Sequence, residues 1–285
     1  VLIFICDKIQ NIELIFINMY KNKGEIKMKK WMKLFLVMSI VSLVLAACGT
    51  NTPNTSGEEK KVLKMGTSAD YPPFEFIDTA NGEEIIGFDI DLAKAITKEL
   101  GYEIQIEDID FGSLITAMKS GQIDFILAGM TPTEDRLKEA DFTDIYFLAN
   151  HMVVTKKDSN INSIEDLAGK TIGVQLGSIQ QEEAEAIAEQ VDVKIETRDR
   201  IPNLIAEVKI GRVDAVIIED TVMKGYLEKE KDLTGFILDT DEGGSAIALP
   251  KDSPLTAEFN RVLNEMKENG ELEKLVLKWF GDGEE

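Results

Sequence analysis

Residues 127–136, LAGMTPTEDR, combine residue types that could hold a small carboxylate. The apolar run at 125–127 predicts a buried strand that leads into this segment. Two small residues and two hydroxyl residues follow it: Ala128, Gly129, Thr131 and Thr133. Arg136 then supplies a fixed cation whose planar guanidinium matches the geometry of a carboxylate. On this stretch alone, an ordinary strand-to-helix turn with a solvated arginine is the simpler interpretation. Other segments of the chain are needed to choose between this turn and a carboxylate site.

The segments that position these residues alternate between strand and helix patterns. Up to residue 127 the chain predicts a strand (61–66), a proline-containing loop (67–76), a helix (89–100), a strand (103–106), a helix (110–120) and a strand (125–127). Asp89 is the predicted N-cap of the first helix, and Gly101 its predicted end. This order predicts an α/β fold with a largely parallel sheet.

A second α/β unit follows the first. Its predicted strands lie at 149–155, 169–174, 193–196, 213–218 and 243–249, and its predicted helices at 201–210, 255–269 and 271–280. A further helix begins at Ser178 with Gln181 as its capping-box partner, and such a helix start offers free N–H groups to an anion. Residues 120–127 and 210–218 repeat one pattern of helix end, Gly, polar residue, aliphatic residue, Asp and apolar strand, which predicts two similarly built lobes.

The N-terminal residues carry an export signal. We expect residues 1–27 to be untranslated leader, because Met28 is a better start. Residues 28–47 are a predicted signal peptide, with a basic n-region and an apolar h-region at 34–45. The sequence Leu-Ala-Ala-Cys that ends at Cys48 resembles the lipobox of bacterial lipoproteins. Cys48 is therefore the expected lipid anchor, on the outer face of the cell membrane of a Gram-positive bacterium.

Composition limits the function classes. Residues 48–61 lack aliphatic side chains and predict a flexible tether. The formal net charge is −21, and the acidic excess lies after residue 47, which opposes binding to nucleic acid and to anionic lipid. Cys6 is the one cysteine besides Cys48, so the exported domain is expected to have no disulfide. His151 is the single histidine, and we expect it to be structural and expect neither a metal nor a cofactor.

Six segments together resemble the solute-binding proteins of polar amino-acid ABC transporters. They are GTSADYPPFEF, GFDIDLAKAI, DFGSLITAMKSGQIDFILAGMTPTEDR, LAGKTIGVQLGS, GRVDAVIIED and KWFG, over about residues 62–281. The resemblance implies a periplasmic-binding-protein-like type II fold, in which two α/β lobes are joined by two hinge strands near 149–153 and 244–248. Lobe 1 is then expected to comprise 62–150 and 247–285, and lobe 2 to comprise 151–246.

The resemblance also implies roles for individual residues. Arg136 is expected to grip the α-carboxylate of an amino acid, aided by Thr131 and the backbone N–H of Ile179. Glu219 is expected to face the α-ammonium, and the Gly129 carbonyl to accept from the same group. The other expected ligand-binding residues are the aromatic pair around the ligand side chain, two residues near its distal end and three further pocket residues: Tyr71, Phe111, Asp70, Gln175, Ser68, Ala128 and Ser178.

The residues favour one class of ligand but do not identify a single amino acid. The acids Asp70 and Glu219, with the aromatic pair, favour arginine or another cationic amino acid. Ser68 stands where several relatives that bind cationic amino acids or glutamine have Asp, so glutamine and cystine remain alternatives. We expect a monomer that closes on its ligand and delivers it to an ABC permease. A dehydratase on the same fold is a remote alternative, and a receptor module is disfavoured because no membrane span follows residue 285.

Overall fold

The structure, a computed structural model, describes residues 61–239 and 243–281. The predicted leader, the signal peptide, Cys48 and the tether up to residue 60 lie outside the described residues. Within the described residues, no helix combines the length and the apolar character needed to cross a membrane.

The elements up to residue 156 follow the predicted alternation. They are β1 (Val62–Thr67), β2 (Asp70–Tyr71), β3 (Glu75–Asp78), β4 (Glu84–Ile86), α1 (Phe88–Glu99), β5 (Glu103–Asp108), α2 (Leu114–Lys119), β6 (Phe125–Ile126), α3 (Glu134–Glu139), β7 (Ala140–Phe142), β8 (Phe147–Ala149) and β9 (His151–Lys156). The predicted helix at 110–120 begins with a 3-10 turn, Phe111–Ser113, and becomes α-helical only at Leu114.

The remaining elements also alternate between strands and helices. They are β10 (Thr171–Gln175), α4 (Ile179–Ala188), β11 (Lys194–Arg198), α5 (Ile201–Ile210), β12 (Ala215–Glu219), α6 (Asp220–Lys229), β13 (Leu233–Ile237), β14 (Gly243–Ser245), β15 (Ala248–Pro250), α7 (Pro254–Glu268) and α8 (Glu271–Phe280). Helix α5 ends at Gly211, whose φ of 75° is the left-handed conformation that glycine adopts without strain.

Two five-stranded sheets have the same layout. Their strand orders are β5-β1-β6-β15-β7 and β11-β10-β12-β9-β13. In each sheet the first three strands are parallel and the last two join antiparallel. The three strands on which the prediction of a largely parallel sheet was based, β1, β5 and β6, are parallel, as expected for strands joined by helices. Strands β15 and β7, which come later in the chain, add antiparallel pairings to the same sheet. We call the parts built on these sheets lobe 1 and lobe 2.

A separate two-stranded ribbon joins the chain segments that run between the lobes. Strand β14 pairs antiparallel with β8, with Gly243 opposite Ala149 and Ser245 opposite Phe147. The single strands predicted at 149–155 and 243–249 are thus each divided in two. The ribbon includes Ala149 and Gly244, the first residues of the two predicted crossings, and the exact lobe limits remain a prediction.

Two local predictions were wrong beside the site. The segment 67–76 is not a simple loop, because β2 and β3 pair within it and place Tyr71 opposite Glu75. Gly87 precedes α1, and Asp89 is fully buried instead of capping the helix. The Asp89 carboxylate accepts hydrogen bonds from Gly129 N (2.8 Å) and Tyr146 Oη (2.8 Å), so it fixes the backbone that follows β6.

Candidate functional site

A cavity of about 340 Å³, including its open mouth, lies where the two lobes meet. All of the predicted ligand-binding residues line it. Lobe 1 contributes Ser68, Asp70, Tyr71, Phe111, Ala128, Gly129, Thr131 and Arg136, and lobe 2 contributes Gln175, Ser178, Ile179 and Glu219. Glu75 and Gln180 also line the cavity and were not predicted.

Arg136 forms the cationic end of the cavity. It lies in α3, where the hydroxyl of the N-cap Thr133 accepts from its backbone N–H (3.4 Å). Its guanidinium donates to the carbonyl of Thr131 (2.7 Å) and, from the other lobe, to the carbonyl of Gly177 (2.8 Å). Burial lowers the pKa of Arg136 to about 10, with Glu182 opposing the shift, so the side chain stays charged at neutral pH.

Phe111 and Tyr71 form aromatic walls of the cavity. The guanidinium carbon of Arg136 lies 5.3 Å from the centre of the Phe111 ring, within the range of a cation–π contact. Tyr71 is buried, and its hydroxyl accepts from the backbone N–H of Glu219 in lobe 2 (3.4 Å). A Cβ at Gly129 would lie 3.6 Å from the Tyr71 ring, so the space beside this ring depends on the absence of a side chain there.

Glu219 places a carboxyl group inside the cavity without a partner. It ends β12, is 2% exposed, and its Oε2 atom has no hydrogen-bond partner. Burial, and to a lesser degree the charges of Asp220 and Asp89, raise its pKa from 4.5 to about 8. A buried, unpartnered carboxyl group is costly unless a cation or a donor joins it.

Glu75 is a second buried acid of the cavity. It is fully enclosed, and its Oε2 atom has no hydrogen-bond partner. Burial, followed by repulsion from Asp89, raises the pKa of Glu75 well above its usual range. Burial alone raises the pKa of Asp89 to about 7, and its hydrogen bonds with Gly129, Tyr146 and Glu75 act in the opposite direction. The sequence did hold a signal for Glu75, because an acid between Phe74 and Phe76 interrupts an apolar run.

The acid Asp70 is already engaged by protein groups. One oxygen accepts from the hydroxyl of Ser68 (2.8 Å), and the other accepts from the backbone N–H of Ile201 in lobe 2 (2.7 Å). Burial raises the pKa of Asp70, and its hydrogen bonds to Ile201 and Ser68 act in the opposite direction. Asp70 therefore lines the cavity and at the same time ties the two lobes together.

The start of α4 forms the lobe 2 wall that faces Arg136. The Ser178 hydroxyl accepts from Gln181 N (3.3 Å), as the capping prediction required, while the Gln181 side chain accepts from Gly177 N (3.0 Å) instead of from the N-cap itself. Gln175 donates its side-chain amide to the Asp199 carbonyl (3.0 Å). The first turn of a helix carries unpaired N–H groups, so Ile179 and Gln180 bring backbone donors to the cavity.

Together these groups match a ligand that carries both a carboxylate and cationic groups. Glu75 also shares a side-chain hydrogen bond with Asp89. One fixed cation stands against two buried acids, Glu219 and Glu75, each with one carboxyl oxygen that lacks a hydrogen-bond partner, so a small molecule with one carboxylate and two cationic groups would neutralise the cavity. His151 lies elsewhere, on β9, where its buried Nδ1 atom is 2.5 Å from the Glu183 carboxylate. Within residues 61–239 and 243–281, no group of three or more His, Cys, Asp or Glu side chains is arranged to hold a metal ion.

Comparisons with known proteins identify relatives that are named as amino-acid-binding proteins. The arginine-binding extracellular protein ArtP of Bacillus subtilis (strain 168) is 52% identical over 256 residues, covering 89% of this chain and 98% of that protein. A crystal structure of the substrate binding protein of an amino acid ABC transporter gives a TM-score of 0.74 at 44% identity, covering 77% of this chain and 99% of the other.

An ancestral arginine-binding protein is 40% identical and covers 78% of this chain and 99% of its own. Its structures bound to glutamine and to arginine give TM-scores of 0.73 and 0.72. A model of the bacterial extracellular solute-binding proteins, family 3, matches residues 63–282. The predicted type II fold of two α/β lobes is thus confirmed, and the chain belongs to the bacterial extracellular solute-binding proteins of family 3.

Proposed function

We propose that the protein captures free L-arginine outside the cell and delivers it to an ABC permease. The observation that carries this is the charge arrangement of the cavity. Arg136 suits the α-carboxylate, Glu219 suits the α-ammonium, and the buried Glu75 suits a cationic side chain. Because the cavity holds more acid than base, arginine or another cationic amino acid neutralises it, whereas glutamine leaves a carboxyl group without a charge partner.

Closure of the lobes follows from where these groups lie. Arg136 and Glu75 belong to lobe 1, and Glu219 and the start of α4 belong to lobe 2. A zwitterion contacts both sets only when the lobes meet, so it binds the closed form better and shifts the hinge equilibrium toward it. The permease then distinguishes a loaded protein by its closed shape. The names of the similar proteins described above, two of which are arginine-binding, support the same ligand.

A calorimetric and thermal-shift comparison of amino acids tests this proposal. The purified domain is titrated with arginine, lysine, ornithine, histidine, glutamine and cystine. Arginine is expected to bind most tightly and to raise the unfolding temperature most, since a ligand stabilises the form to which it binds. A larger response to glutamine or cystine would contradict arginine as the ligand, and no response to any of them would contradict amino-acid capture.

Replacing Glu75 with Gln is expected to change ligand selectivity. The neutral amide keeps the size of the side chain and loses the charge that faces the guanidinium, so the preference for arginine over glutamine should fall by about 10- to 100-fold. Isothermal titration of both amino acids measures this ratio. Glu258→Gln on the exposed face of α7 makes the same chemical change outside the cavity and should leave the ratio unaltered.

Glutamine binding is the second candidate. Burial raises the pKa of Glu75, and a protonated Glu75 can also donate to the side-chain carbonyl of glutamine. The two candidates predict different dependences of the binding affinity on pH. Arginine requires Glu75 to ionise, whereas glutamine tolerates the protonated acid, so glutamine affinity should change less between pH 6 and pH 8.

We propose further that the protein is a lipid-anchored monomer and not an enzyme. Cys48, after the predicted signal peptide, supports attachment to the outer face of a Gram-positive membrane. Pairing with the α-ammonium of the ligand is enough to explain the position of Glu219 in the cavity, and this role requires no proton transfer in a reaction. Mass spectrometry of the N-terminal peptide from the membrane fraction tests the anchor, light scattering tests the monomer, and incubation with cyclic keto-acids followed by product analysis tests the dehydratase alternative.

A further inference from the structure

We infer that the N-terminus of α5, with Arg200 immediately before it, is a closure latch that holds lobe 2 on lobe 1. The inference rests on the proposed function, because a latch matters only if the lobes close around a solute. It assigns Arg200 as a positioning residue for ligand retention. Arg200 does not belong to the residues that line the cavity.

The Arg200 side chain spans the two lobes. Its Nε atom lies 2.7 Å from Asp110 and its Nη1 atom 2.7 Å from Asp108, both in the segment that ends β5 in lobe 1. The same Asp108 oxygen accepts from the backbone N–H of Ala69 (3.0 Å), which fixes one of the two carboxylates in place. A guanidinium held by two carboxylates is more rigid than an ordinary surface ion pair, which contributes little by itself.

The first turn of α5 supplies the other half of the latch. Its own N-cap residue, Arg200, makes no side-chain capping hydrogen bond. The acceptor comes from lobe 1 instead, since Asp70 accepts from Ile201 N at 2.7 Å in a buried position. A carboxylate at this position also interacts favourably with the positive end of the helix dipole. Helix α5 therefore obtains its N-terminal cap only when the lobes meet.

These contacts hold the two lobes against each other. They join residues about 90 to 130 positions apart in sequence, and in each pair one residue is in lobe 1 and the other in lobe 2. Nearby, a Cβ on Gly112 would lie 2.9 Å from the Leu176 carbonyl, so the lobes approach each other to backbone contact beside the latch. Opening the hinge separates all of these groups. The latch therefore stabilises the closed state whichever solute occupies the cavity, and it slows ligand release.

Arg200→Gln tests the latch directly. The variant should release arginine about 5- to 20-fold faster in stopped-flow displacement, with an association rate within about twofold of the wild type. Arg200→Lys should recover part of the loss, because it restores the charge but not the two-pronged geometry. The matched control is Arg261→Gln on α7, which removes an arginine paired with Glu265 inside lobe 1 and should leave release unchanged.

Two further measurements distinguish loss of the latch from failure of the proposed function and from a general loss of stability. A cycle of Arg200→Gln, Asp110→Asn and the double variant should give non-additive effects on release, because both residues act in one contact. Small-angle scattering of the ligand-free proteins should give a larger radius of gyration for Arg200→Gln than for Arg261→Gln, and this needs no ligand. Equal release rates and equal radii would overturn the latch, whereas a wild type that binds no arginine would overturn the proposed function alone.

Discussion

Replacing Arg136 with Ala is expected to weaken arginine binding by about 2–5 kcal/mol, or roughly 30- to 4,000-fold. The guanidinium is the one cation among the residues that line the cavity, and it is only 8% exposed. Without it, the α-carboxylate of the ligand would enter a buried space next to Glu219 and Glu75 with no opposite charge. Removing one partner of a buried pair costs far more than the pair contributes when intact.

Calorimetry with a matched pair of ligands isolates this effect. Agmatine has the guanidinium of arginine but no α-carboxylate, so its affinity should change little in the Arg136→Ala variant. Arg136→Lys keeps the charge and loses the planar fork, and it should fall between the wild type and the alanine variant. An unchanged affinity for arginine, or an equal loss for both ligands, would contradict the role of Arg136 as the carboxylate partner.

The sequence predicted the site better than it predicted the contacts within it. The strand at 125–127 and the small residues after it identified where one wall of the cavity lies, because an apolar run predicts a buried strand and small residues at its end leave room for a ligand. Family motifs then added residues of lobe 2, such as Glu219, that no local pattern connects to Arg136. All of the predicted residues line one cavity, and their individual roles remain predictions.

What the sequence could not predict depends on register and on contacts between lobes. Glu75 faces inward because β2 and β3 pair with Tyr71 opposite Glu75, a pairing hidden inside an apparent proline loop. Asp89 is favoured by its position to cap a helix, yet it is buried and holds Gly129, since tertiary contacts override a local preference. The contact from Asp70 to Ile201 joins residues 131 positions apart in different lobes, so no local sequence pattern predicts it.

Glu219→Gln is expected to weaken arginine binding by about 1.5–3 kcal/mol, because a charged hydrogen bond to the α-ammonium is replaced by a neutral one. The same substitution should also remove a pH dependence. In the empty cavity burial raises the pKa of Glu219 to about 8, and the bound ammonium must lower that pKa. Between these two values arginine binding releases a proton, so the affinity of the wild type should rise as the pH increases toward 8.

Titration in buffers of different ionisation enthalpy counts the released protons. Glu75, which lines the cavity, and Asp89, which hydrogen-bonds Glu75, also have raised pKa values, so the relevant quantity is the difference between the wild type and Glu219→Gln. At pH 7 this difference should approach one proton per ligand, and the affinity of the variant should rise less steeply from pH 6 to pH 8. Identical proton release in both proteins would show that Glu219 is already ionised before the ligand arrives, and the ammonium would then need another partner. Glu219 therefore acts as a counter-charge whose ionised form becomes favourable when a cationic ligand binds beside it.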